Sequence, residues 1–180
     1  MRLFAFLRAI NVGGHTVTMA ELRRQFEQLG LNDVETFIAS GNVSFSSAAN
    51  STAVLEKKIE KKLLDALGFD VATFIRTAPE LVALANHAPF PAARLRAAGA
   101  FCVGFLARPL PPAAKAALAG LKTPIDDFHV NGREVYWICK TKQHESKFNN
   151  VRFEKTTGAK VTFRSTATVA RLAAKAGGRP

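Results

Sequence analysis

The apolar segments of this chain follow the same order twice. A short strand, a helix, two strands joined by a tight turn, a second helix and a last strand are predicted within residues 1–77, and this order returns in residues 99–164. The order βαββαβ is that of the split-βαβ, or ferredoxin-like, arrangement. We therefore expect an α+β protein made of two ferredoxin-like (α/β-plait) units. A single mixed sheet with helices on one side is the alternative.

Local signals define the elements of the first unit. Residues 34–39 and 43–46 predict two strands, because their β-branched and aromatic residues flank the turn residues Ser40-Gly41-Asn42. Apolar residues recur at helical spacing through 52–67, and Gly68 supplies a helix stop. The first unit thus has its hairpin in the middle and its longer helix after it.

The second unit shows the same signals. Asn131-Gly132 between two apolar runs is the strongest short indication of a hairpin, and a helix is predicted over 145–154. Two prolines interrupt residues 78–98, which we interpret as a helical linker. A last helix, from about 166 to 176, completes a second domain of residues 99–180.

Positive charge is concentrated near the C-terminus. The chain has 25 Lys and Arg against 14 Asp and Glu, a net charge of +11, and residues 140–180 hold 10 basic and 2 acidic residues. Such a field attracts polyanions, so we expect a nucleic-acid or nucleotide partner, with a solvated basic surface as the alternative. The candidate basic residues are Lys140, Lys142, Lys147, Arg152, Lys160 and Arg164.

A second candidate site is predicted at one edge of the first sheet. In a right-handed crossover the first and second strands run parallel, so the connection 8–15 and the turn 40–42 should meet. That connection is longer than the usual ~2–6 residues, and its glycines and the following helix N-terminus favour an anion. The alternative is that these residues only shape a long connection. The candidate ligand-binding residues are Arg8, Asn11, Gly13, Gly14, His15, Ser40, Gly41 and Asn42.

Two further functions are consistent with this edge. One is an enzyme acting on a small phosphorylated or carboxylated substrate, with Arg8 clamping the anion and His15 or Ser40 as acid, base or nucleophile. The other is a structural or oligomerisation protein without a site. The four histidines are scattered and form neither HExxH nor HxH, so we expect no metal and no cofactor.

The cysteines and apolar runs bear on the compartment. The two cysteines lack CxxC spacing, and we expect Cys102 to be buried and inert and Cys139 to be the more exposed. Leu3–Leu7 is too short for a signal peptide, and the longest apolar runs fall far below the ~20 residues of a membrane span. A cytoplasmic protein that does not contact membranes is expected.

An RNA-binding sheet face is a further alternative. Phe101–Phe105 alternates aromatic and small residues like a strand of an RNA-recognition motif, and Leu3–Leu7 would be its partner strand. The basic-glycine-aromatic opening of that motif is missing. Phe supplies 14 aromatic residues against one Tyr and one Trp, and Phe usually packs in cores. We therefore expect these phenylalanines in the core.

Three motifs together point to a family. The runs LRAINVGG (7–14), MAELR (19–23) and TFIASGNVSF (36–45) resemble the LRGINVGG-like loop, MxxLR helix and TYxxSGNVxF hairpin of the bacterial family catalogued as domain of unknown function 1697. The resemblance extends over nearly the whole chain. It implies a pair of ferredoxin-like units and no particular activity.

The chain also departs from the family pattern. Ala9 stands where the loop has Gly, and Phe37 stands where the hairpin has Tyr. Near the C-terminus, Ser165, Thr166 and Ala167 replace the Asn, Trp and Asn of a family element. A function carried by that element would be altered here, whereas the loop and the turn are retained.

Overall fold

The chain is an α+β protein of two compact units, one of Met1–Val82 together with Ala176 and Gly177, the other of Ala83–Lys175. The computed structural model describes residues 1–38 and 41–177. The boundary after Val82 falls inside helix α3, within the stretch interpreted from the sequence as a linker. The elements up to that helix are β1 (Arg2–Leu7), α1 (Met19–Glu27), β2 (Asn32–Thr36), β3 (Asn42–Ser46), α2 (Thr52–Leu67), β4 (Thr73–Thr77) and α3 (Ala78–Asn86).

The second unit repeats the strand arrangement of the first. Both sheets are antiparallel, in the order β2-β3-β1-β4 and β6-β7-β5-β8. A 3₁₀ turn (Gln143–Glu145) follows β7. The remaining elements are α4 (Ala92–Arg96), β5 (Ala100–Phe105), α5 (Pro112–Ala119), β6 (Asp126–Asn131), β7 (Glu134–Cys139), α6 (Asn150–Thr157), β8 (Thr162–Ser165) and α7 (Thr166–Gly177).

Each sheet packs one face into its own apolar core. In the first unit Leu22, Phe26 and Ile59 of the helices are fully buried together with Leu3 and Phe45 of the sheet. Side chains of this size contribute about 1.5–3 kcal/mol each when buried. In the second unit the core is built on Trp137 and Phe153 in the same way.

Helix carboxylates cover the outer edge of each sheet. Glu56 Oε1 accepts the backbone N–H of Ile75 at 2.7 Å, and Glu60 Oε1 accepts that of Thr73 at 3.1 Å. In the second unit Glu154 Oε1 accepts the N–H of Val161 at 3.0 Å. Edge strands otherwise leave such groups open to pairing with another chain. Both units thus use a helix carboxylate to bond N–H groups on the last strand of the sheet or directly before it.

Matching rows of side chains cross the two sheets. Phe4 pairs with Ser44 and Arg76 in the first sheet. Val103 pairs with Tyr136 and Arg164 in the second. Each row therefore ends in an arginine on the outermost strand, and the duplication predicted from the element order extends to this position.

Two predicted elements are wrong in their bounds. Strand β2 ends at Thr36 rather than at 39, since Ile38 adopts a left-handed φ of 58° that extended backbone does not allow; Ala39 lies outside the described residues. The helix predicted over 145–154 begins only at Asn150, because Ser146 is held by Asp126 and the Asn149 side chain caps the N–H of Arg152.

Across residues 1–38 and 41–177, no helix combines the length and the apolar character that a membrane crossing needs.

Candidate functional site

The connection after β1 and the turn before β3 lie side by side, as the crossover argument predicts. The N–H of Leu7 donates to the carbonyl of Gly41 at 2.8 Å. A Cβ on Gly41 would stand 2.7 Å from Ile10 Cγ2, and its φ is 73°. Glycine is thus required at the turn both by its backbone conformation and by the close approach of the loop.

The two asparagines of this edge hold the backbone in place. Asn11 Oδ1 accepts the N–H of Val17 at 2.8 Å and closes the loop. Asn42 is 1% exposed, and its amide donates to the carbonyl of Phe37 at 3.0 Å. These side chains therefore shape the loop and the turn. This agrees with the alternative interpretation, in which such residues only shape a long connection.

The open part of the loop offers backbone donors. Gly13 and Gly14 are exposed, with φ of 66° and 86°, and their N–H groups bond to no other described residue. The His15 ring is exposed but stacks on Phe69, with centroids 4.0 Å apart. Arg8 is half-buried, and its backbone N–H donates to the carbonyl of Ala72 at 2.9 Å. Ser40 lies outside the described residues.

Five of the six candidate basic residues are exposed and carry unneutralised charge. Within the described part of the chain they form no ion pair. The carboxylates that lie nearest to them in sequence bond to backbone groups: Glu145 accepts the N–H of Lys142 at 2.9 Å, and Glu154 accepts that of Val161 at 3.0 Å. We call these five residues the basic segment: Lys140, Lys142, Lys147, Arg152 and Lys160.

Arg164 differs from the other five. It is half-buried, and its Nη1 donates to Thr162 Oγ1 at 2.7 Å and to the carbonyl of Phe163 at 2.9 Å. Burial lowers the pKa of its guanidinium to about 10. Arg76, at the equivalent position of the first sheet, is fully buried and donates to the preceding carbonyl in the same way.

A buried carboxylate that sequence reasoning missed organises the second unit. Asp126 is 3% exposed. Its Oδ1 accepts Trp137 Nε1–H at 2.8 Å, and the Ser146 hydroxyl lies 2.9 Å from both of its oxygens. Oδ2 also accepts the Thr123 hydroxyl at 3.1 Å. The partners come from separate segments, so the sequence carries no signal for this cluster beyond the Asp126-Asp127 pair.

The adjacent carboxylate anchors two cations. Asp127 Oδ2 lies 3.0 Å from both Arg94 Nη2 and Lys122 Nζ. Burial acts to raise the pKa of Asp127, but hydrogen bonds from Lys122, Arg94 and the N–H of Phe128 outweigh it and lower the pKa below its usual value.

Aromatic and polar rings cluster on the other face of the second sheet. His87 lies 4.9 Å from Tyr136 and 5.6 Å from His129, between ring centroids. Burial raises the pKa of Tyr136, and burial followed by the neighbouring His87 lowers that of His129. Tyr136 Oη and His87 Nε2 are buried and accept or donate no hydrogen bond within the described residues.

The thiols and metal-ligating groups offer no reactive cluster among the described residues. Cys139 is fully buried and Cys102 is 2% exposed, so the expectation that Cys139 is the more exposed was wrong. Cys139 ends strand β7, and the apolar core of the second unit buries this end of the strand. Across the same described ranges, no three His, Cys, Asp or Glu side chains are grouped to hold a metal ion.

The phenylalanines considered for base stacking are mostly buried. Phe4, Phe6 and Phe105 are at most 2% exposed. Phe101 is partly exposed but packs near Phe90 and Tyr136. Three of the four aromatic rings thus belong to the interior, as expected from their chemistry.

Comparisons with known proteins agree with this fold. The solved structure of the conserved bacterial protein SP0830 from Streptococcus pneumoniae is similar over 97% of this chain and 98% of its own, with a TM-score of 0.72 and 26% identity. No curated protein matches the chain. The model of the family described as protein of unknown function (DUF1697) matches residues 1–136, three quarters of the chain rather than nearly all of it. The chain belongs to the DUF1697 family.

Proposed function

We propose that the protein binds an anionic partner, a nucleic acid or a nucleotide, through the basic segment. The observation that carries this proposal is that its five cations are exposed and form no ion pair in the described part of the chain. Unpaired Lys and Arg at a surface are the groups that neutralise phosphates.

The burial of the phenylalanines bears on the mode of binding. A sheet that reads RNA by stacking needs exposed rings, whereas Phe4, Phe6 and Phe105 are interior. Contacts to phosphates then make the main contribution to affinity. Such contacts position the partner without recognising its base sequence. The exposed N–H groups of Gly13 and Gly14 are a second place where an anion can be held.

Two finer points belong to the same proposal. We propose that each unit is ferredoxin-like, because the βαββαβ element order and the strand order β2-β3-β1-β4 both suit that arrangement. The free, buried Cys102 and Cys139 suit a reducing compartment such as the cytoplasm.

The test is a salt titration with matched charge variants. Binding of a labelled single-stranded oligonucleotide is measured by fluorescence anisotropy between about 50 and 200 mM salt, where five phosphate contacts should cost about a hundredfold in affinity. The triple variant K142Q/K147Q/K160Q should bind more weakly and lower the salt slope by about 0.7 for each phosphate that it no longer neutralises.

The control removes the same charge elsewhere. K57Q/K58Q/K61Q takes three exposed lysines from α2, where Lys57 and Lys61 already pair with Glu60 and Asp65. It should keep the wild-type slope. Absence of binding by the wild-type protein, or an equal change of slope in both triple variants, would overturn the proposal.

A further inference from the structure

Two adjoining cavities open in the second unit beside α4. Their volumes are about 190 and 310 Å³, and Arg94, Ile125 and Lys140 line both. The smaller is completed by Ala97, Ala98 and Ile138, the larger by Lys122, Asp127 and their neighbours. The larger cavity alone reaches the lower end of the volume range of small-molecule sites, about 300–1,000 Å³.

Backbone contacts hold the walls of these cavities. The N–H of Lys140 donates to the carbonyl of Ile125 at 2.9 Å, and that of Gly99 donates to Cys139 at 2.9 Å. A Cβ on Gly99 would overlap the backbone of Thr141, so only glycine lets the 97–99 segment approach this closely. The backbone that lines the pocket is therefore held in place, which reduces the ordering cost of binding.

The two cavities differ in chemistry. Besides Arg94 and Lys140, the smaller is lined by four aliphatic side chains, those of Ala97, Ala98, Ile125 and Ile138. The larger brings together three cations, Arg94, Lys122 and Lys140, against two carboxylates. The carboxylate of Asp126 is held by Trp137, Ser146 and Thr123.

Lys140 is the cation of this pocket that has no carboxylate partner among the described residues. Asp127 is shared by Arg94 and Lys122 at 3.0 Å each, whereas Lys140 forms no ion pair within the same ranges. Its side chain lines both the apolar and the charged cavity. A ligand that fits both cavities has an apolar part next to a negative group.

We infer that this pocket binds a small amphipathic anion, in which an apolar ring or chain is joined to a phosphate or a carboxylate. The inference deepens the proposed function, since a nucleotide is one such anion, and rests on it only through Lys140. The apolar part lies over Ala98 and Ile138, and the anion lies against Lys140 and Arg94.

Calorimetric titration with three probes tests the inference. Phenyl phosphate and benzoate carry the two alternative anions on the same apolar ring, whereas inorganic phosphate has no apolar group. At least one of the first two should bind about tenfold or more tightly than inorganic phosphate, and which one binds identifies the anion. A wild-type protein that binds neither, or binds both no better than inorganic phosphate, overturns the inference.

Variants separate this pocket from the basic segment. Ala98→Leu fills the apolar cavity without changing charge and should abolish binding of the organic probe while leaving oligonucleotide affinity unchanged. Ala97→Leu serves if that variant does not fold, as judged by its melting temperature. Lys160→Gln, which lies outside the pocket, should affect only the oligonucleotide. Organic-probe affinity that survives a folded cavity-filling variant contradicts the assignment.

Discussion

Ala9 and Ile38 are held in backbone conformations that their side chains disfavour. Their φ angles are 56° and 58°, in the left-handed region that costs an L-residue about 1–2 kcal/mol. Both residues flank the edge where the loop meets Gly41. Strain of this kind collects at functional positions, and at Ala9 it coincides with a departure from the family's glycine.

Replacing Ala9 by Gly should stabilise the fold. Relief of the left-handed penalty exceeds the added flexibility of the unfolded chain, about 0.5–1 kcal/mol, so the melting temperature should rise by about 1–3 °C. Thermal unfolding followed by circular dichroism measures this. Ala116→Gly, the same change in the interior of α5, should lower the melting temperature. A fall in both variants would contradict the strain at Ala9.

The buried Asp126 should be essential to the second unit. Asp126→Ala leaves the indole N–H of Trp137 and the Ser146 hydroxyl without their acceptor, and the free energy of unfolding should fall by about 2–4 kcal/mol. Asp126→Asn keeps one acceptor oxygen and should cost less. Urea unfolding followed by Trp137 fluorescence tests both variants. Equal stability of the alanine variant and the wild type would rule out this role.

The buried thiols should be unreactive until the chain unfolds. Burial, with a smaller contribution from Cys139, raises the pKa of Cys102 from 9.0 to about 12. The native protein should therefore release no thionitrobenzoate from Ellman's reagent near pH 8, while both thiols react in concentrated urea. Fast reaction of one thiol in the native protein would show that the strand opens.

The same shift gives stability a pH dependence. Between pH 9.0 and about 12 the unfolded chain loses the Cys102 proton that the folded chain retains, so this thiol's contribution to stability falls as the pH rises through that range. Cys102→Ala should show a shallower loss over the same range. A steeper loss in the variant would contradict the assignment.

At the scale of elements, helix carboxylates complete the sheet edges. Glu56 on α2 is 5% exposed and accepts the N–H of Ile75 in β4 at 2.7 Å. A buried donor left unpaired costs about 1–3 kcal/mol. The contact between α2 and β4 thus includes a buried hydrogen bond as well as apolar packing. The apolar periodicity of the helix sequence does not predict this bond.

Removal of Glu56 should weaken the first unit. Glu56→Ala should lower the free energy of unfolding by about 1–3 kcal/mol, because Ile75 loses its acceptor, and Glu56→Gln should recover part of this. Chemical unfolding followed by far-UV circular dichroism measures the change. Lys58→Ala, at an exposed position on the same helix, should be near neutral. A neutral Glu56→Ala would show that solvent replaces the carboxylate.

Elements with local signals at both ends were predicted well. Helix α2 has the bounds 52–67 predicted from its sequence, since Ser51 caps its start and Gly68 its end. The bounds of strand β2 and helix α6 depend on features that local signals do not show. Ile38 adopts a left-handed conformation, and the Ser146 hydroxyl bonds to the distant Asp126. Neither feature is indicated by the neighbouring residues.

Across the whole molecule, the sequence predicted the edge that follows from strand topology and the segment that follows from a run of charge, and it missed the pocket, which neither of these indicates. The loop 8–15 meets Gly41 as the topology requires, and the basic segment is a run of charge. The pocket joins residues 94–98, 122–127 and 138–140. Nothing in a single sequence indicates that these three segments converge.

The net charge of +11 should steer association with polyanions. Because the field sums over all charges, both triple variants should slow the association rate constant by similar factors. Only K142Q/K147Q/K160Q should speed dissociation, since short-range contacts set that rate. Stopped-flow mixing with an oligonucleotide tests this. Equal dissociation rates in both variants would place the contacts elsewhere.

Trp137 is the single tryptophan of the chain, and its indole donates to the carboxylate that borders the larger cavity. Any occupant that alters the electrostatic field around Asp126 will therefore shift the emission of one chromophore. The intrinsic fluorescence of Trp137 can therefore report occupancy of the pocket, and a compound library can be screened against the unlabelled chain.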